Sequence, residues 1–142
     1  MDVRPYLDFK GECEAAFIFY ARALGGTLGP IFRYAGTPLA HHVPADWQDK
    51  VMHASVTIGS QVVMGADVAP DRYEPPKGVS LSIHLGDTAD AERMFRELSN
   101  GGTIVVPLEP TFWAARFGVV KDRFGVTWLM NCEGAATSPS LV

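Results

Sequence analysis

The tripeptide Gly-Gly-Thr occurs twice, at Gly25-Gly26-Thr27 and at Gly101-Gly102-Thr103, roughly half a chain apart. Each copy follows a run with helical spacing and precedes an apolar, strand-like run. A glycine directly after an amphipathic segment reads as a helix C-cap, because the left-handed backbone there carries no steric cost only for glycine. Two helices can end alike by chance, so the weight of the repeat rests on its flanks. In the first half, residues 3–9 read as a strand. Residues 11–24 place Ala16, Phe17, Tyr20 and Leu24 on one helical face, with Glu12 and Glu14 suiting the first turn. Residues 27–34 resume an extended pattern. Residues 51–58 alternate Met52, Ala54, Val56 and Ile58 against His53, Ser55 and Thr57, and Gly59-Ser60 turns the chain into residues 61–66.

The second half repeats this order. Residues 79–85 alternate Val79, Leu81, Ile83 and Leu85 against Ser80, Ser82 and His84. Asp87 or Thr88 can cap a helix over 89–98, whose buried face is Ala91, Met94, Phe95 and Leu98. Strands follow at Ile104-Val105-Val106, at 114–121 and at 126–132, the last two joined by Asp122-Arg123-Phe124-Gly125. Each half therefore reads strand, helix, strand, strand, strand. The class is α+β: two βαβββ modules, about 1–67 and 78–133, in one domain, with the proline-bearing linker 68–77 between them. Residues 134–142 read as a flexible polar tail. A sheet that covers one face with its helix leaves the other face to be used, so the two polar faces are expected to line a shared cavity fit for a small ligand. Residues 35–50 hold Pro38, Pro44, Gly36 and His41-His42; they read as a long loop with one helical turn near Trp47, of the kind that serves as a flap.

Totals exclude several classes. A net charge of -4 without a lysine or arginine run argues against nucleic acid. No apolar run approaches the ~20 residues of a membrane span, and the first residues lack a secretory pattern, so a cytoplasmic setting is expected. The two cysteines, Cys13 and Cys132, form no disulfide framework or redox motif and read as inert. No glycine-rich loop leads to an acidic residue some twenty positions on, and Gly-x-Ser-x-Gly and the P-loop are missing, which argues against nucleotide-like cofactors and serine hydrolysis.

The duplicated plan resembles the vicinal oxygen chelate superfamily, the glyoxalase, bleomycin-resistance and dioxygenase fold. Pro5-Tyr6-Leu7-Asp8-Phe9, Asp49-Lys50-Val51-Met52-His53-Ala54, Met64-Gly65-Ala66-Asp67, Tyr73-Glu74-Pro75-Pro76 and Thr111-Phe112-Trp113-Ala114-Ala115-Arg116-Phe117-Gly118 resemble its PhnB-like branch. Asp122-Arg123-Phe124-Gly125 with Trp128 and Asn131-Cys132-Glu133 completes the likeness. Such proteins often carry a ubiquinone-methyltransferase label, which the missing cofactor loop does not support. Metal-using members hold a divalent ion by four inward histidines and glutamates. The resemblance puts Pro5, Met64, Ser80 and Leu129 near those positions, and none is a normal ligand for such an ion.

The expectation is a metal-free, cofactor-free homodimer that binds a small organic molecule through His53, Ser55, Met64, Ser80, His84, Trp113, Arg116 and Leu129. Arg116 has two readings, a fork onto a carboxylate or phosphonate-like group and a structural ion pair. The alternative function is a metal-dependent lyase or dioxygenase of glyoxalase type using a set such as His53, His84 and Asp67. A third is a dimeric scaffold filled by Met64, Trp113 and Trp128.

Overall fold

The structure, a computed structural model, describes residues 1–134; the expected tail, from 135 on, lies outside them. The chain divides into two compact units, Met1–Pro76 and one beginning at Lys77. The first contains β1 (Tyr6–Phe9), α1 (Cys13–Leu24), β2 (Thr27–Leu28), β3 (Phe32–Arg33), β4 (Val51–Ile58) and β5 (Gln61–Asp67). The second contains β6 (Leu81–Leu85), α2 (Thr88–Ser99), β7 (Thr103–Glu109), β8 (Arg116–Lys121) and β9 (Thr127–Cys132). Their sheets follow one plan. The orders are β1-β5-β4-β2, with β3 also on β4, and β6-β9-β8-β7. The first strand of each unit runs parallel to the last, and the other pairs are antiparallel.

The repeated Gly-Gly-Thr does the same work in both units. Gly25 and Gly101 take φ of 65° and 77°. A side chain on the next glycine would strike backbone: Thr57 O at Gly26 and Lys121 O at Gly102. The threonine after each then pairs with the strand it has just approached, Thr27 with Thr57 and Thr103 with Lys121. One glycine turns the chain, and the other lets it close on the sheet.

The expected strand over 27–34 is broken. Gly29 and Pro30 interrupt it between β2 and β3, because Gly29 passes against Ser55 and Pro30 has no N–H to offer a ladder. β1 and β6 begin later than expected, at Tyr6 and Leu81, and β8 begins at Arg116. The loop before β4 is tied down. It carries 3-10 turns at Ala40–His42 and Ala45–Trp47. Trp47 is buried, and the Gln48 side-chain amide donates to Ala40 O at 2.7 Å.

In the first unit Ala16, Phe17, Tyr20, Ala23 and Leu24 of α1 are buried, as the 3.6-residue spacing predicts, and so are Ala54, Val56 and Val63 on the sheet. Gly65 passes under the helix: a Cβ there would lie 2.8 Å from the Phe17 ring. The N-terminus of α1 has no side-chain cap of its own at Glu12. Asp67, 1% exposed at the end of β5, supplies one from afar. Its Oδ1 accepts from the N–H groups of Gly11 and Cys13, both at 2.9 Å, and its Oδ2 accepts from Val51 N–H at 2.9 Å. The carboxylate therefore meets the positive end of the helix dipole and three backbone donors at once.

In the second unit, Ala91, Phe95 and Leu98 of α2 are buried, and so are Gly118, Val120, Trp128 and Met130 on the sheet. Here the cap is local, as expected: Asp90 N–H donates to Asp87 Oδ1 at 3.0 Å. A second buried acid, Asp122, braces the β8–β9 turn by accepting from Phe124 N–H, Val126 N–H and Trp128 Nε1–H at 2.8–3.0 Å.

Replacing Asp67 with Ala orphans two buried donors, Cys13 and Val51 N–H, each costing about 1–3 kcal/mol, and a half-buried one at Gly11. Asp67→Ala is therefore expected to lose about 3 kcal/mol or more in urea unfolding, with Asp67→Asn recovering only part. A loss below about 1 kcal/mol would show that the carboxylate does not hold this frame.

Candidate functional site

In each unit the helix covers one face of the sheet, and the polar alternates of the sequence stand on the other. In the first unit, register makes Tyr6, Met64 and Ser55 a row across β1, β5 and β4, since Tyr6 opposes Met64 and Met64 opposes Ser55. His53 lies two residues along β4 on the same face, opposite Phe32 of β3. Tyr6 reaches across β5 and places its hydroxyl 3.2 Å from His53 Nδ1. The His53 ring stands between two aromatic rings, with centroids 5.8 Å from Tyr6 and 6.4 Å from Phe32, at tilts of 37° and 36°. Tyr6 and Phe32 remain 48% and 53% exposed, an unusual outlay of aromatic surface beside a histidine. Burial, and then the negative charge of Asp8, raise the pKa of the Tyr6 phenol, so it stays protonated at neutral pH. Of the expected residues, His53, Ser55 and Met64 come together here.

In the second unit Ser82 opposes Leu129 and His84 opposes Asn131, which in turn opposes Phe117. His84 Nε2 lies 2.8 Å from Ser82 Oγ. Trp113, in the loop before β8, packs its ring against Phe112 and Phe117 at 4.8 and 5.3 Å. His84 and Leu129 thus share this sheet face, while Ser80 precedes β6 and is exposed.

Arg116 stands apart from both groups. It opposes the buried Cys132 on the helix side of its sheet, and its Nε–H donates to Glu92 of α2 at 3.1 Å. Gly118 is small because the helix side is crowded: a Cβ there would lie 2.9 Å from both Phe95 and Leu108. Of its two readings, the geometry gives the structural ion pair. An open depression of about 360 Å³ lies nearby between α2 and β7, floored by Phe95 and walled by Ile104, Pro107 and Leu108. None of the expected ligand-binding residues lines it.

The donor set does not suit the metal of the glyoxalase pattern. Pro5, Met64, Ser80 and Leu129 are poor ligands for a hard or borderline ion. In the alternative set of His53, His84 and Asp67, the carboxylate is 1% exposed and both its oxygens accept backbone N–H groups. Among the described residues no three His, Cys, Asp or Glu side chains gather where they would hold an ion.

A family model for the Glyoxalase/Bleomycin resistance protein/Dioxygenase superfamily matches residues 9–130. The chain belongs to this superfamily. Among its relatives, Protein YjdN of Escherichia coli is 32% identical over 139 residues, which cover 92% of this chain and 95% of that protein. The crystal structure of protein PA1353 from Pseudomonas aeruginosa is 46% identical and superposes with a TM-score of 0.84, covering 94% of this chain and 98% of that one. A Bacillus cereus PhnB protein, described as a putative 3-demethylubiquinone-9 3-methyltransferase, shares the fold at 23% identity and a TM-score of 0.79, covering 93% and 99%. The superfamily and the PhnB likeness read from the motifs both have their counterpart here. Among the described residues no helix is long and apolar enough to cross a membrane.

Sequence reasoning passed over Tyr6 and Phe32 as site residues. The signal for Tyr6 was its alternation with Leu7 and Phe9 in β1, which turns it to the face away from α1. Phe32 gave no comparable signal, since its strand is two residues long.

Both thiols are buried, and burial raises the pKa of each, so neither is a thiolate at neutral pH. An aromatic disulfide reagent at pH 8 is expected to leave the native chain unreacted and to titrate two thiols after denaturation. Rapid labelling of either thiol in the native chain would contradict this burial.

Proposed function

We propose that the chain binds a small organic molecule, non-covalently and without a metal, on the face of the first sheet that carries Tyr6, Phe32, His53, Ser55 and Met64. The observation that carries this reading is the pair of half-exposed aromatic rings set on either side of His53. Exposed aromatic surface next to a polar group is what a ligand uses for area and orientation. The opposite face is unavailable, being spent on α1 and on the Asp67 bonds. His84, Trp113 and Leu129 offer a comparable surface on the second sheet, Ser80 lies outside it before β6, and Arg116 has no part in either. In this reading the protein works in the cytoplasm as a homodimer. The methyltransferase description of the Bacillus cereus protein is not carried over, because this chain has no glycine-rich strand-to-helix loop for such a cofactor.

A thermal-shift screen of small aromatic and polar compounds is expected to yield ligands whose affinity falls about tenfold, or 1.4 kcal/mol, in Phe32→Ala and is unchanged in Arg116→Ala. A ligand indifferent to both Tyr6→Ala and Phe32→Ala would remove the site. Stoichiometric metal in protein purified without chelator would overturn the metal-free part. Sedimentation showing only monomer at micromolar concentration would overturn the dimer.

A further inference from the structure

We infer that Tyr6 sets the tautomer of His53, and that the ligand of this face therefore carries a hydrogen-bond acceptor, a carbonyl or carboxylate oxygen, on an apolar body. The inference rests on the binding reading above and deepens it. A neutral imidazole has one nitrogen that donates and one that accepts. The Tyr6 hydroxyl lies 3.2 Å from His53 Nδ1, and among the described residues neither group has another hydrogen-bond partner. A neutral phenol can donate to Nδ1 or accept from Nδ1–H. Its O–H is a stronger donor than an imidazole N–H, and an imidazole nitrogen is a stronger acceptor than a phenol oxygen, so the favoured bond runs from Tyr6 to Nδ1. The imidazole proton then sits on Nε2, the nitrogen left to face a ligand.

The surroundings hold this arrangement. Tyr6 comes from β1 and Phe32 from β3, so His53 is flanked by rings from strands on either side of it. The row beneath Tyr6 is Met64 and, next along β5, Ala66, opposite Asp8. Asp8, two residues from Tyr6 on the same strand face, acts on the phenol by charge and opposes its ionisation. The result is one fixed N–H donor between two apolar plates. A molecule that fills the plates but offers no acceptor shuts that donor off from water and leaves it unpaired, so it binds more weakly than an isostere that accepts.

Acetophenone and α-methylstyrene test this, because they share a shape and differ in C=O against C=CH2. In the full chain, two-bond proton–nitrogen NMR correlations are expected to show His53 protonated on Nε2. Acetophenone is expected to bind about tenfold more tightly than α-methylstyrene, as titrations followed at the Tyr6, Phe32 and His53 signals would read. In Tyr6→Phe, which keeps the ring and loses the hydroxyl, both tautomers should appear and the preference should fall to about threefold or less. The inference fails if His53 in the native chain is protonated on Nδ1, if the two probes bind equally, or if neither binds. Equal binding that disappears in Phe32→Ala would leave the binding face standing and remove only the acceptor requirement. The tautomer and the probe pair are both read in the unsubstituted chain, so the inference stays exposed to failure even if Tyr6→Phe does not fold.

Discussion

The Asp67 carboxylate, at the end of β5, joins two places far from it and from each other in the chain: the start of α1, at Gly11 and Cys13, and the first residue of β4, Val51. A buried charge is costly unless its lone pairs are filled, and here three backbone N–H groups and a helix terminus fill them. The same bonds cap a helix that has no cap of its own and fix where β4 enters the sheet. The second unit meets the same need differently. Its helix is capped three residues away by Asp87, and its buried acid, Asp122, is used to brace a hairpin. Cys132 stands in the second unit where Asp67 stands in the first, each at the end of the last strand and opposite the end of the first. Two copies of one backbone plan are thus held by different side chains.

This division decides what is free to act. On the helix side of each sheet, packing leaves so little room that Gly65 and Gly118 cannot carry a Cβ, and the charged groups are occupied, Asp67 by backbone and Arg116 by Glu92. The other face of the first sheet keeps rings and a histidine in reach of solvent. Superfamily membership does not by itself say what chemistry this face performs; its side chains, Tyr6, Phe32, His53, Ser55 and Met64, offer area, shape and hydrogen bonding.

Much of the fold was legible because it depends on local rules. The 3.6-residue spacing in α1 and α2, the alternation in β4 and β6, and the two glycine pairs each report a backbone requirement that neighbouring residues impose. The break of 27–34 at Gly29-Pro30 was half legible: Pro30, with no N–H for a ladder, is a local signal, whereas the close pass of Gly29 against Ser55 depends on a residue distant in sequence. The site was legible in part for the same reason. Alternation put His53 and Ser55 on one face, and the structure brings Met64 beside them. Tyr6 joins His53 only across an intervening strand, a contact that no spacing rule reveals. Arg116 kept two readings in the sequence, because small neighbours look the same there whether they make room for a ligand or for a helix; the structure pairs it with Glu92 of α2.

Binding on the sheet face opposite α1 is open to amide chemical-shift mapping with a mixed library of small organic compounds. Perturbations are expected to cluster at Tyr6, Phe32, His53, Ser55 and Met64, with α1 silent. Perturbations confined to the depression between α2 and β7, or to the Arg116–Glu92 pair, would contradict it.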